Sequence, residues 1–517
     1  AFGMQTARLD IRQHTSVYPQ VMEELFSVMG RSANPAALSE KEFEKLVLET
    51  LENPPSLPVW RISPSSAETL ALFSVIRRVA RRFGMEAIGG HVLSMTHKPS
   101  DLFTLLWLWN WSEHVDGGHP DDAALQLAII PLFETIDDLK HGAGILDESL
   151  SAPAFRDYIR QQGDRMLVML GYSDSTKDGG YLAAIWELQR AQIELYRMAA
   201  KHGVEVTFFH GRGGSLGRGG GPAGRSIRSL PHEAFFGALR LTEQGEVLAE
   251  RYDDPQIAHR HLEQVVSSVL LAIAGEPDPD LPQWHLAMLS LADSAYEAYR
   301  ELVELEGFPE FFRLATPIRA IEELPIGSRP AKRKAGNSLN DLRAIPWVFS
   351  WTQCRSLLPA WYGMGSAIKR QLEAGTVKIE ELQIMYRQWP FLRAAIDNAV
   401  LALAKSNMVV FREYVGLAKD VPGGAVIADR ISQEFDRTKQ YLLAIVDEQE
   451  LLDSIPWLKR SIQVRNGYVD PLNFVQVELL RRATAAPPET DLHRVEERWH
   501  LTSLTVQGIA AGMRTTG

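Results

Sequence analysis

Seven of the twelve residues from His210 to Gly221 are glycine, with Arg212, Ser215 and Arg218 spaced among them. Glycine lets backbone N–H groups approach an anion closely, and arginine adds a planar, permanently charged fork that matches phosphate or carboxylate. No Gly-Lys-Ser/Thr follows and the spacing is not that of a dinucleotide fingerprint, so the segment fits neither nucleotide loop. The plain alternative is a flexible linker. Against it, the segment follows directly on the apolar run 204–209 and carries its arginines inside the glycines.

A second segment, Gly171-Tyr172-Ser173-Asp174-Ser175-Thr176-Lys177-Asp178-Gly179-Gly180, closes one apolar run and leads into a long helical pattern. Asp174 and Asp178 are each placed to cap a helix, the cap fitting Asp178 better. Glu134 ends the apolar run 128–133 in the same way as Asp174 ends its own. Two carboxylates on one rim would hold a hard cation and leave positions for water and substrate, the usual manner of binding Mg²⁺. Acidic residues at strand ends are also frequent without any metal. Of the basic run 327–334, Lys332 to Lys334 read as a solvated loop. Arg343, beside an apolar run, is different, because a charge there needs an anionic partner.

The elements that must position these residues are legible as two periodicities. Apolar residues at Leu182, Ile185, Trp186, Ile193, Tyr196 and Ala200 predict a helix over 180–203, closed by Gly203. Similar patterns predict helices near 66–83, 256–273, 282–305, 391–414, 427–453 and 491–511. Runs of strand length at 6–13, 91–96, 127–134, 166–174, 204–210 and 342–349 alternate with helices, which predicts parallel β-α units. Arg12, Glu134, Asp174, and His210 with Arg212 fall at or near the carboxyl ends of such runs; Arg343 falls at the start of its run. Side chains from many strands converge on that rim in a parallel barrel. The expected fold is therefore a partial, TIM-like α/β barrel, six of eight strands, embedded in a predominantly helical protein. Residues 1–350 would form the barrel with helical insertions and 351–517 a mainly helical C-terminal region. The start at Ala1, without Met and close to an apparent structural element, suggests the C-terminal part of a longer chain.

Composition sets outer bounds. The 517 residues are 45% hydrophobic and 23% charged, ordinary for a soluble globular protein. With 54 basic against 65 acidic residues the net charge is -11, which argues against a general nucleic-acid or anionic-membrane binder. No apolar stretch approaches the roughly eighteen residues of a membrane span and no signal peptide is evident, so the expected location is cytoplasmic. Cys354, the single cysteine, permits neither an intrachain disulfide nor a cysteine metal cluster, so any metal must be held by oxygen or imidazole.

Several segments together carry a resemblance. Phe209-His210-Gly211-Arg212-Gly213-Gly214-Ser215, Tyr172-Ser173-Asp174-Ser175 with Lys177-Asp178, Leu342-Arg343-Ala344-Ile345-Pro346-Trp347, Arg465-Asn466 with Asp470-Pro471-Leu472-Asn473, and Gly512-Met513-Arg514 with Thr516-Gly517 stand in consistent order. The set resembles bacterial and plant-type phosphoenolpyruvate carboxylase from Leu9 to Gly517. The resemblance implies an α/β barrel among many helices, a homotetramer, and a requirement for Mg²⁺ or Mn²⁺. It implies conversion of phosphoenolpyruvate and bicarbonate to oxaloacetate and phosphate by way of carboxyphosphate and an enolate.

Carried over by motif, Glu134 and Asp174 resemble the metal ligands, and Arg12, Arg212 and Arg343 the arginines that hold the phosphoryl group. Lys177 resembles the bicarbonate-site lysine, His210 the histidine supporting substrate, and Arg329 a further substrate-binding arginine. Arg218, Lys405, Arg465 and Thr515 match the positions that bind aspartate or malate as inhibitors, with Thr515 standing where asparagine is usual. The family's essential histidine, in a Thr-Ala-His-Pro-Thr type motif, has no counterpart among the histidines here. The chain taken alone is accordingly expected to be inactive. Two alternatives are another phosphoenolpyruvate-handling barrel enzyme and a non-catalytic phosphate- or dicarboxylate-binding fragment.

Overall fold

The structure, a computed structural model, describes residues 8–32, 34–51, 61–113, 125–218, 220–243, 245–275, 281–324, 342–485 and 492–514. Arg329 and Thr515 lie outside the described residues. Six strands form one sheet in sequence order: β1 (Leu9–His14), β2 (Ile88–Ser94), β3 (Ile129–Phe133), β4 (Arg165–Gly171), β5 (Glu205–Gly211) and β6 (Arg240–Leu241). β1 pairs with β2, β2 with β3 and β3 with β4 in parallel. β2 and β3 are buried along their whole length, as strands covered on both faces must be. The guanidinium of Arg240 in β6 lies 4.4 Å from the Phe209 ring centroid and pairs with Asp10 of β1 at 2.5 Å. A side chain linking the last strand to the first requires a curved sheet, and the six strands form a half-barrel within a mostly helical protein.

Two compact units interleave along the chain. The first comprises Ala1–Gly171, Arg190–His210 and Ala238–Arg240; the second comprises Tyr172–Gln189, Gly211–Gly237 and Leu241–Gly517. In the first, Val92, Ile130, Leu132, Met169 and Phe209 form a cluster on one face of the sheet. The helix Pro99–Ser112 is buried nearly all round, with Trp107 and Trp111 stacked. In the second, Trp347, Trp351, Trp361 and Trp389 are fully buried in one large core.

Five of the expected strands match β1 to β5, and one does not. Residues 342–349 are not a strand: Ala344–Gln353 is a helix, and Arg343 is its N-cap residue with extended backbone. This helix is buried on every side, so its apolar run has no polar stripe by which the helical period can be read. Pro346 in the first turn is the local sign of a helix start. The sixth strand is instead the two-residue β6. The helix expected over 391–414 is broken into Pro390–Lys405 and Met408–Val415, because the Asn407 side chain accepts from Val409 N and Val410 N and starts a new helix. Among the described residues no single helix is long and apolar enough to cross a membrane.

Candidate active site and anion cluster

In the first unit, β1 and β3 bring Arg12 and Glu134 together. Glu134 is 2% exposed and its carboxylate pairs with the Arg12 guanidinium, whose Nε also donates to Ser94 Oγ of β2 at 2.6 Å. The pair gives the buried carboxylate a cationic partner where the strands end. His210, in β5, is 2% exposed and its ring lies 6.4 Å from that of Phe208. His97, which follows β2, binds Asp138 through Nδ1 at 2.5 Å, and this bond raises its pKa above the ordinary histidine value.

In the second unit, Asp174 lies in the first turn of the helix Tyr172–Gly179, where the helix dipole favours a carboxylate. Lys177 Nζ donates to the Leu342 carbonyl at 2.7 Å, which places it beside Arg343 in the chain, and Tyr299 Oη donates to Lys177 O at 2.7 Å. Asp178 is not the cap of the next helix. It sits in the last turn of Tyr172–Gly179, while Gly180 accepts the N–H of Ala184 at the start of Tyr181–Lys201. Gly180 has φ +81, and a Cβ there would lie 2.9 Å from the Tyr299 ring, which explains glycine at this junction.

The glycine-rich loop closes on itself: Gly213 N donates to Arg218 O at 2.8 Å and Gly220 N to Ser215 O at 2.8 Å. A Cβ on Gly213 would meet the Arg218 guanidinium at 2.5 Å, so the arginine folds over the loop only because that residue is glycine. Arg218 Nε donates to Ser173 Oγ at 2.9 Å, next to Asp174. Arg212 bonds Ser226, and burial, with Arg251 adding to it, lowers its pKa below the usual arginine value. Arg212, Thr242, Glu243 and Arg251 line a small cavity of about 30 Å³ with the loop glycines.

Farther along the second unit, Lys405 Nζ donates to Met513 O at 3.2 Å and Arg465 to Gly512 O at 3.0 Å. Burial, then the charges of Arg465 and Arg514, push Lys405 down to about 8. Beneath them Arg355, fully buried, pairs with Asp470 and donates to Asn466 Oδ1 at 2.9 Å and to the Lys405 carbonyl. The structure thus joins Arg12 to Glu134, Arg218 to Ser173 and Lys177 to the residue before Arg343, and sets Lys405 near Arg465.

Sequence reasoning missed Asp138 and Arg355. Thr135-x-x-Asp138 directly after a strand is a readable capping signal, whereas the pairing partner of Arg355 lies 115 residues away and leaves no local trace.

The arrangement defines an α/β protein whose strand ends and following loops carry carboxylates, arginines, a lysine and a glycine-rich loop. Residues 1–517 match the family described as Phosphoenolpyruvate carboxylase, and the chain belongs to that family. It is 42% identical to a phosphoenolpyruvate carboxylase of Aromatoleum aromaticum over all of this chain and 56% of the relative. It is 39% identical to one of Roseiflexus castenholzii and 38% identical to one of Rhodothermus marinus, again over 100% of the chain and 56% of each relative. The chain therefore spans about half the length of these curated relatives.

Proposed function

We propose that this chain supplies the strand-end chemistry of an enzyme that carboxylates phosphoenolpyruvate with bicarbonate, releasing oxaloacetate and phosphate. The family match over the whole chain carries this reading, and it disfavours both another phosphoenolpyruvate-handling barrel and a purely binding fragment. The half-barrel is read as part of a TIM-like barrel. A cytoplasmic homotetramer, with 1–350 and 351–517 as its domains in this chain, belongs to the same proposal.

In this reading Arg12, Arg212 and Arg343, with Arg329, hold the phosphoryl group, since planar guanidinium forks match its oxygens. Lys177 holds bicarbonate beside Arg343, and His210 supports the bound substrate from β5. Fixed donors of this kind act where negative charge develops, and they need no reorganisation during the reaction. Glu134 and Asp174, which match the family's metal ligands by motif, each have the chemistry that suits a hard divalent cation: both are oxygen donors, one buried at a strand end and the other at a helix start. Mg²⁺ or Mn²⁺, when bound, would supply positive charge that stabilises a developing enolate. Arg218, Lys405, Arg465 and Thr515 form the inhibitor set for aspartate or malate, with threonine at 515 shortening the reach of the fourth donor.

Calorimetric titration of phosphoenolpyruvate into the chain with Mn²⁺ should show binding that Asp174→Asn and Arg343→Lys each weaken by about tenfold or more, the loss of one charge-assisted contact. Equal affinities would remove these residues from the site. A coupled assay with malate dehydrogenase should register no oxaloacetate from the chain alone, and sustained turnover would move the essential proton handling onto its own residues.

A further inference from the structure

The carboxyl ends of β2 and β3 are tied together by two side chains that the proposed chemistry leaves unused. Asp138, 4% exposed, directs Oδ1 to His97 Nδ1 at 2.5 Å. Its Oδ2 accepts the backbone N–H of Thr135 at 2.9 Å and that of Glu134 at 3.3 Å. A carboxylate can only accept, so the ring nitrogen facing it carries the proton. Thr135 Oγ1 returns a bond from Asp138 N at 3.0 Å, completing the capping box of the helix Ile136–Ser151.

The loop carrying His97 is fixed independently. His97 N and Lys98 N donate to Asp101 Oδ2 at 2.9 and 3.2 Å, and Thr96 N donates to the Leu132 carbonyl of β3 at 3.2 Å.

A helix cap alone does not require this. The backbone N–H groups need one carboxylate oxygen, and the second is taken by His97.

We propose that His97 is a positioning residue for Glu134: acting through Asp138, it clamps the end of β3 to the loop after β2 and fixes the backbone from which the Glu134 carboxylate projects. The inference rests on the reading of Glu134 as a ligand of the divalent cation. Groups that orient a ligand from behind typically set metal affinity by tenfold or more when removed.

The test is titration of the 517-residue chain with Mn²⁺ alone, following free Mn²⁺ by electron paramagnetic resonance, with circular dichroism to confirm folding. His97→Ala, which leaves the Thr135–Asp138 cap in place, should weaken Mn²⁺ binding about tenfold. His97→Asn, whose amide can donate from near the position of Nδ1, should restore most of it. Glu134→Gln should lose binding altogether. Wild-type affinity in His97→Ala, with binding lost in Glu134→Gln, overturns the clamp and leaves the Glu134 assignment standing. Equal weakening in His97→Ala and His97→Asn overturns the hydrogen bond as its basis. Binding absent in the wild type or unchanged in Glu134→Gln overturns the metal assignment, and the clamp with it.

Discussion

Charge is handled in opposite ways at the strand ends of the first unit and near the C-terminus of the second. At the strand ends Glu134 meets the Arg12 guanidinium and Asp138 meets the His97 ring, while the buried Asp101 accepts backbone N–H groups. Near the C-terminus Lys405, Arg465 and Arg514 repel one another, and two of them spend hydrogen bonds on backbone carbonyls. The first arrangement pairs carboxylates with guanidinium or imidazole groups. The second sets like charges close together, which lowers the pKa of Lys405.

The comparison predicts stability changes of opposite sign. Arg12→Met strands the buried Glu134 charge and should destabilise the chain by roughly 3 kcal/mol in denaturant unfolding at neutral pH. A neutral result would show that Glu134 has other sufficient partners. Lys405→Met removes a buried like charge and should stabilise the chain, by about 1 to 2 kcal/mol after allowance for solvent screening. For Lys405 the folded pKa, about 8, lies below the ordinary value of 10.5, so between these the unfolded chain binds more protons and wild-type stability rises with pH. The gain from Lys405→Met should accordingly be complete below about pH 8 and fade toward 10.5. A gain that does not change with pH over this window would detach it from the lysine charge. Smallest is Asp178→Ala: its pair with Arg300 spans 4.0 Å at the surface, and its loss should cost no more than about 0.5 kcal/mol. A loss well above that would restore a capping role to Asp178.

What could be read in advance follows from the range of each interaction. The glycine loop and β1 to β5 were legible because glycine spacing and short apolar runs are local properties. The 180–203 helix was legible because one of its faces is polar and reveals the period. Residues 342–349 misled because a helix buried on all sides has no such face. Asp178 misled because a short helix, Tyr172–Gly179, intervenes between β4 and the helix it was expected to cap. Asp138 could be foreseen as a cap but not as the partner of His97, 41 residues away.

The sequence by itself determined the chemical inventory: hard oxygen ligands, arginines and a glycine loop suited to an anion, and no cysteine pair. It also determined most of the elements that carry them, because hydrophobic period, caps and glycine act within a few residues. Only the tertiary structure decided which charges meet. Arg12 reaches Glu134 across 122 residues and Arg355 reaches Asp470 across 115, while Lys405 comes near Arg465 and Arg514. The energy of a charge depends on its burial and on neighbours contributed by distant segments, and neither is a property of the local sequence.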